Sequence, residues 1–178
     1  NSRPPILPSD DDIWSMQDQG QSFLENEGFK QYEISAYAKE KHPALHNLNY
    51  WQFGDYLGIG AGAHGKITNV AQGKIERFTR HKIPKRYIEL AGTDAAITKT
   101  RTLVPDELAL EFVMNAFRLV EGVPAHFFSE RTGLTLKSAE KELTLAEERG
   151  LIEWQLNELR PSAKGLRYLN ELLEIFVQ

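Results

Sequence analysis

Cysteine is absent from the 178 residues. That excludes disulfides, a catalytic thiol, a thiolate-held zinc and an iron–sulfur cluster ligated from within these residues. Long apolar runs are missing too. No stretch approaches the roughly eighteen residues that a membrane-spanning helix requires. The opening Asn-Ser-Arg-Pro-Pro-Ile-Leu-Pro has neither the apolar stretch nor the small-residue cleavage site of a signal peptide. These absences set the expectation of a cytoplasmic protein, and a first residue other than Met sets the expectation of a fragment of something longer. What remains is ordinary for a globular chain: 41% hydrophobic, 26% charged and 10% aromatic residues. Disordered, collagen-like and low-complexity classes are thereby excluded.

The net charge of −4 is unevenly spread. Residues 64–104 carry nine basic and three acidic groups, whereas the segments on either side each carry a net −5. Nine basic groups over that length is mild, and a solvated face accounts for it as well as an anion site does.

Local signals divide the chain into elements. Ser9-Asp10-Asp11-Asp12 suits a helix start, with Ile13 to Asn26 as the helix, Ile13, Met16, Phe23 and Leu24 on one side, and Gly28 as its stop. Tyr32 to Tyr37 reads as one short strand, so the segment resembles the helix–strand unit of a parallel sheet. Tyr56 to Ile59 is expected to be a buried strand ending in a turn made by the glycines at 58, 60, 62 and 65. Lys66–Val70 and Lys74–Arg80 form a predicted hairpin, and Pro84 to Leu90 is a predicted short helix opened by Pro. From Pro105 onward the composition changes. A helix buried nearly all round is followed by a short helix to Gly133, a helix closing at Gly150, a hairpin of Leu151–Leu156 and Glu158–Arg160 turning near Asn157, and a last helix from Ser162 to Val177. That order is the order of a winged-helix domain.

Two stretches carry candidate chemistry. In Gly58-Ile-Gly-Ala-Gly-Ala-His-Gly65 the glycines let backbone approach a ligand, but the spacing is neither the dinucleotide fingerprint nor a phosphate loop. A tight turn closing a strand is the competing reading. In His46-Asn-Leu-Asn-Tyr-Trp51, a helix would set His46 and Tyr50 one turn apart with Trp51 beside them. A neutral imidazole is an axial ligand for haem iron and flat apolar residues suit a porphyrin face. A hydrogen-bonded histidine in an aromatic core explains the same pattern. His42 and His46 have zinc-like spacing, against which Pro43 biases His42 away from helical geometry. The predicted reading helix of the winged part carries mixed charge in a net-acidic segment, which opposes nucleic-acid binding. No pair of acids stands out as general acid and base.

Tyr32-Glu-Ile-Ser-Ala-Tyr-Ala38, His46-Asn-Leu-Asn-Tyr-Trp51 and Gly54-Asp-Tyr-Leu-Gly-Ile-Gly-Ala-Gly-Ala-His-Gly65 resemble consecutive blocks of the HemW-type haem chaperones. These are radical S-adenosylmethionine proteins related to oxygen-independent coproporphyrinogen III oxidase. Asn115-Ala-Phe-Arg-Leu119 and Leu172-Leu-Glu-Ile-Phe176 resemble that family's C-terminal domain. The resemblance implies an α/β (α+β) architecture: closing strand–helix units of an incomplete radical-SAM barrel over 1–70, a connecting hairpin and helix over 71–104, and a mostly helical winged-helix-like domain over 105–178. It implies haem binding by His46, Asn47, Tyr50 and Trp51, with His46 on the iron, and places Gly60, Gly62, Ala63 and His64 near S-adenosylmethionine. The parent would hold a 4Fe–4S cluster and S-adenosylmethionine, and would pass haem to a haem-accepting protein such as a membrane-bound respiratory complex, at the periphery of the inner membrane. The lack of cysteine departs from the family's cluster-binding loop, so the fragment alone is expected to do no radical chemistry. The alternative parent is the coproporphyrinogen oxidase itself, an oxidoreductase of porphyrin biosynthesis. The His-Asn-x-x-Tyr-Trp block favours the chaperone branch. Sheet edges left bare near Tyr32 and Tyr56 allow a homodimer.

Overall fold

The computed structural model describes residues 5, 7–155 and 157–177. By packing, the chain divides into two compact units, residues up to Ala44 and residues from Leu45. The division falls inside the 1–70 segment.

The first unit opens with helix α1, Asp10–Asn26. Ser9 is its N-cap: the Asp12 N–H donates to Ser9 Oγ at 3.2 Å, and the Ser9 N–H donates back to the Asp12 carboxylate. This reciprocal cap, with Asp10, Asp11 and Asp12 against the positive helix end, starts the helix three residues before the predicted Ile13. Its apolar side stays open, since Ile13, Met16 and Phe23 are exposed and no residue of α1 is buried.

The predicted single strand at Tyr32–Tyr37 is instead a hairpin. Strand β1 (Phe29–Glu33) pairs antiparallel with β2 (Ala36–Lys39), Phe29 opposite Lys39. The Glu33 carboxylate accepts from the Ser35 N–H at 3.0 Å and the Ser35 hydroxyl at 2.7 Å, closing a turn at Ile34–Ser35 where a continuous strand was expected. Every strand pairing among the described residues is antiparallel.

The second unit begins with α2, Leu45–Trp51, and a loop leads to β3, His64–Asn69. Tyr56–Ile59 is not a strand. Tyr56 forms one bridge to Lys66, while Leu57 and Ile59 are 69% and 79% exposed. The predicted hairpin is present: β3 pairs with β4 (Lys74–Arg80), Asn69 opposite Lys74, around a single 3-10 turn. Helix α3 (Pro84–Leu90) follows, and then a strand that the sequence reading missed, β5 (Ile97–Thr102), completes the sheet in the order β3-β4-β5. The stretch Thr98–Thr102 is exposed throughout, so it carries no apolar alternation to announce a strand.

The remaining elements are α4 (Pro105–Ala116), β6 (Val123–Pro124), α5 (His126–Thr132), a 3-10 turn at Leu136–Ala139, α6 (Glu140–Glu148), β7 (Ile152–Gln155), β8 (Glu158–Pro161), α7 (Ala163–Arg167) and α8 (Leu169–Glu174). Strand order β6-β8-β7 beside this helix sequence is winged-helix topology. The last helix is broken at Tyr168, where φ −114° and ψ 45° leave helical geometry. The expected last strand residue, Leu156, lies outside the described residues. Helix α4 buries Leu108, Phe112, Val113 and Ala116 but leaves Met114 exposed, so it is not buried all round.

One core holds this unit. Its buried apolar residues run from Phe53 to Phe176, and an edge-to-face chain of rings, Phe53–Phe112 at 5.8 Å and Phe112–Phe128 at 5.2 Å, crosses it. Glu111 of α4 receives Arg77 of β4 and Arg101 of β5, tying the three-stranded sheet to the helices.

Candidate ligand site

Helix α2 has only seven residues, too short to stand alone in water, so its tertiary anchors set its position. Its last turn runs directly into Phe53, which adopts φ 59°. A bulky side chain in the left-handed region costs on the order of 1–2 kcal/mol. Burial offsets that cost: Phe53 is 1% exposed, edge-on to Phe112 on one side and with the Lys66 ammonium 4.1 Å from its ring centre on another. Asn49 of α2 donates to the Asp55 carbonyl at 2.8 Å, which folds the loop back on the helix.

Asp55 is the polar hub of that loop. Its carboxylate accepts from Lys66 at 3.0 Å, from the Thr68 N–H at 2.7 Å and from the Thr68 hydroxyl at 2.8 Å. Burial by itself would raise its pKa, but these three hydrogen bonds outweigh it and hold the carboxyl below its ordinary value. Lys66 is 2% exposed, and burial pulls its ammonium below the ordinary lysine value despite the Asp55 carboxylate. The pair fixes the α2 loop against β3.

The glycine-rich loop returns the chain to β3. A side chain at Gly58 would place Cβ 2.1 Å from the His64 carbonyl, so only glycine lets these two backbone segments touch. Gly60 and Gly62 have φ 120° and 74°. The loop is pinned by the Gly60 N–H donating to the Tyr87 hydroxyl at 3.0 Å, the Gly62 N–H to the His81 carbonyl at 2.7 Å, and Arg80 Nε to the Gly58 carbonyl.

Between this loop and α2 lies an open cavity of about 400 Å³. Tyr50, Trp51 and Tyr56 give it aromatic walls, Leu57, Ile59 and Ala63 apolar ones, and His64 and Asn115 polar ones. Tyr50 and Tyr56 meet edge to face at 4.7 Å. The Trp51 Nε1 is buried with no hydrogen-bond partner among the described residues. Unsatisfied buried donors are uncommon in folded chains.

The structure thus brings four of the eight sequence-predicted residues, Tyr50, Trp51, Ala63 and His64, onto one cavity. His46 stands outside its wall, exposed, with its ring 6.1 Å from that of Tyr50 and no hydrogen bond among the described residues. Asn47 is half-buried on the same helix, and Gly60 and Gly62 shape the loop without lining the cavity. His64 Nδ1 lies 3.3 Å from the Thr79 hydroxyl. Asn115, Tyr56, Leu57 and Ile59 were missed as lining residues. Only tertiary packing carries Asn115 there, whereas the aromatic and apolar side chains flanking Gly58 offered a local signal. No group of three or more His, Asp or Glu side chains able to hold a metal ion occurs among the described residues, so His42 and His46 do not form part of a zinc cluster.

A winged-helix domain packed behind an aromatic helix and a glycine loop defines the class. A family model described as the HemN C-terminal domain matches residues 103–168. The fold superposes with a TM-score of 0.65 on a structure titled "Coproporphyrinogen III oxidase (HemN) from Escherichia coli is a Radical SAM enzyme", over 96% of this chain and 42% of that one at 16% identity. At that identity the likeness shows the fold alone. The sequence itself is similar to the heme chaperone HemW of Haemophilus influenzae, 41% identical over 98% of this chain and 44% of the relative, and to that of Escherichia coli, 40% identical over 99% and 45%. A bovine mitochondrial radical S-adenosyl methionine domain-containing protein 1 is 32% identical over 89% of this chain and 37% of that protein. The chain belongs, as a segment, to the HemW-type family. It spans less than half the length of the curated relatives it matches.

Proposed function

We propose that this chain is part of a haem-binding chaperone that delivers haem to haem proteins. The observation that carries the reading is identity of 40% or more to two proteins named heme chaperone HemW along nearly the whole chain. The site chemistry supports it. His46 presents an exposed imidazole with no competing hydrogen bond among the described residues, a donor suited to ferric or ferrous haem iron. Tyr50 and Trp51, one turn on, supply flat faces for the porphyrin, and Asn47 a polar group beside them.

In this reading residues 1 to 70 complete a barrel in the whole protein, 71–104 connect, and 105–178 form the appended domain. A 4Fe–4S cluster and S-adenosylmethionine belong to the parent. Gly60, Gly62, Ala63 and His64 stand nearest the latter. The cluster's thiolates come from outside these cysteine-free residues. The acceptor is a haem-requiring protein such as a membrane-bound respiratory complex, reached from the cytoplasmic face, and the fragment pairs with a second copy through its bare sheet edges. No helix of the described residues is long and apolar enough to cross a membrane. The oxidase alternative has behind it a likeness of fold and a match to the HemN C-terminal domain over residues 103–168, but no argument from activity.

A haem titration of this chain, followed by visible absorption with His46→Ala alongside, tests the assignment. One haem per chain with a saturable Soret shift, abolished in the variant, is the expected result. Equal, unsaturable binding in both proteins removes His46 as the ligand.

A further inference from the structure

Helix α4 belongs to the C-terminal domain, yet its end reaches the cavity. Ala116 and Phe117 are completely buried in the core, while Asn115 and Arg118, three residues apart, stand at the cavity and at the Trp51 ring of α2. Asn115 lines the cavity together with Tyr50 and Trp51. Its Nδ2 donates to the Glu111 carbonyl at 2.7 Å, which fixes the amide and leaves Oδ1 as an acceptor that no described residue occupies. Arg118 is not part of the cavity wall. Its guanidinium carbon sits 4.4 Å from the centre of the Trp51 ring, a cation–π contact.

We propose that the C-terminal domain completes the ligand site: Asn115 is a binding residue for a polar edge of the flat ligand, and Arg118 is a positioning residue that sets the Trp51 ring against its face. The inference rests on the haem-binding reading above. The helix with the candidate iron ligand and the C-terminal domain then act as one binding unit. A second observation stands beside it: the Trp51 Nε1 is buried with no hydrogen-bond partner among the described residues, which is uncommon for a buried donor.

The test is a titration of the full-length protein with ferric haem, comparing wild type, Asn115→Ala, Arg118→Met, Arg118→Lys and His46→Ala, with melting temperatures recorded for each. We expect Asn115→Ala and Arg118→Met to weaken binding about fivefold and to move the Soret maximum, with His46 intact and Arg118→Lys restoring part of the loss. Saturable wild-type binding with both variants unchanged in affinity and spectrum overturns this inference and leaves the chaperone reading standing. Wild type that binds no haem overturns both. Should Arg118→Met fail to fold, Asn115→Ala decides alone, because its side chain is half-buried and bonded only within its own helix.

Discussion

The two units of the chain are held by different physics. Residues up to Ala44 contain no buried apolar side chain among those described; their one deeply buried group is Glu33. Local signals make this unit: a reciprocal serine–aspartate cap, a turn closed by a glutamate, a five-residue strand on a four-residue one. Residues from Leu45 contain the whole core, and within it even a strained phenylalanine is affordable. Short-range hydrogen bonding fixes where elements begin and end, whereas burial fixes where they sit.

The sharpest way to break this contrast is Phe112→Ala. The ring is completely buried between Phe53 and Phe128, and its loss is expected to cost about 3–5 kcal/mol of unfolding free energy in denaturant titration. Amide exchange should rise through α4, α5 and the α2 loop. If protection in α1 falls equally, the two units do not differ as described.

A smaller effect separates the two members of the polar hub. Asp55→Ala leaves the Lys66 ammonium buried without its counter-charge, at an expected cost of about 3 kcal/mol. Lys66→Met leaves Asp55, whose side chain is 39% exposed, with both Thr68 hydrogen bonds, and is expected to cost about 1 kcal/mol or less. Equal losses from the two substitutions would show that the pair, not the buried charge, sets the energy. The same hub fixes a pH dependence. The Asp55 carboxyl titrates below 3.8 in the folded chain, so between that lowered value and 3.8 the unfolded chain binds more protons. Its contribution is therefore full above 3.8 and lost as pH falls through the lowered value. Lys66 is likewise lowered from 10.5, so its contribution rises with pH between its lowered value and 10.5. Thermal melts of Asp55→Asn should flatten the acid limb, and those of Lys66→Met the alkaline one.

The smallest effect lies in the first unit. Ser9→Ala removes the cap of α1 and is expected to cost about 1 kcal/mol, read as fraying of the first turn in amide exchange.

Where an element is announced by its own residues, sequence reading succeeded. Pro84–Leu90 has the same bounds in both, and Ser162, Gly133 and Gly150 stand at the helix ends assigned to them. Where an element depends on a partner, it was missed or misplaced. Strand β5 is polar beyond Ile97 and exists because β4 offers an edge. Tyr56–Ile59 has the apolar composition of a buried strand, but Gly58 presses against the His64 backbone and its neighbours turn outward. The site divided in the same way. The spacing of His46 and Tyr50 placed them one turn apart on a helix, and they stand so on α2, while nothing near Asn115 or Arg118 told of Trp51, sixty-odd residues earlier.

The sequence by itself determined the family, the helix caps, the aromatic–histidine helix and the winged order of the last seventy residues, because each of these is written in neighbouring positions. The tertiary structure alone decided that Phe53 buries in the helical domain, that Lys66 lies beneath it, and that the glycine loop and α4 share a cavity with α2. Those choices depend on which surfaces exclude water together, and burial acts between residues that the chain order keeps far apart.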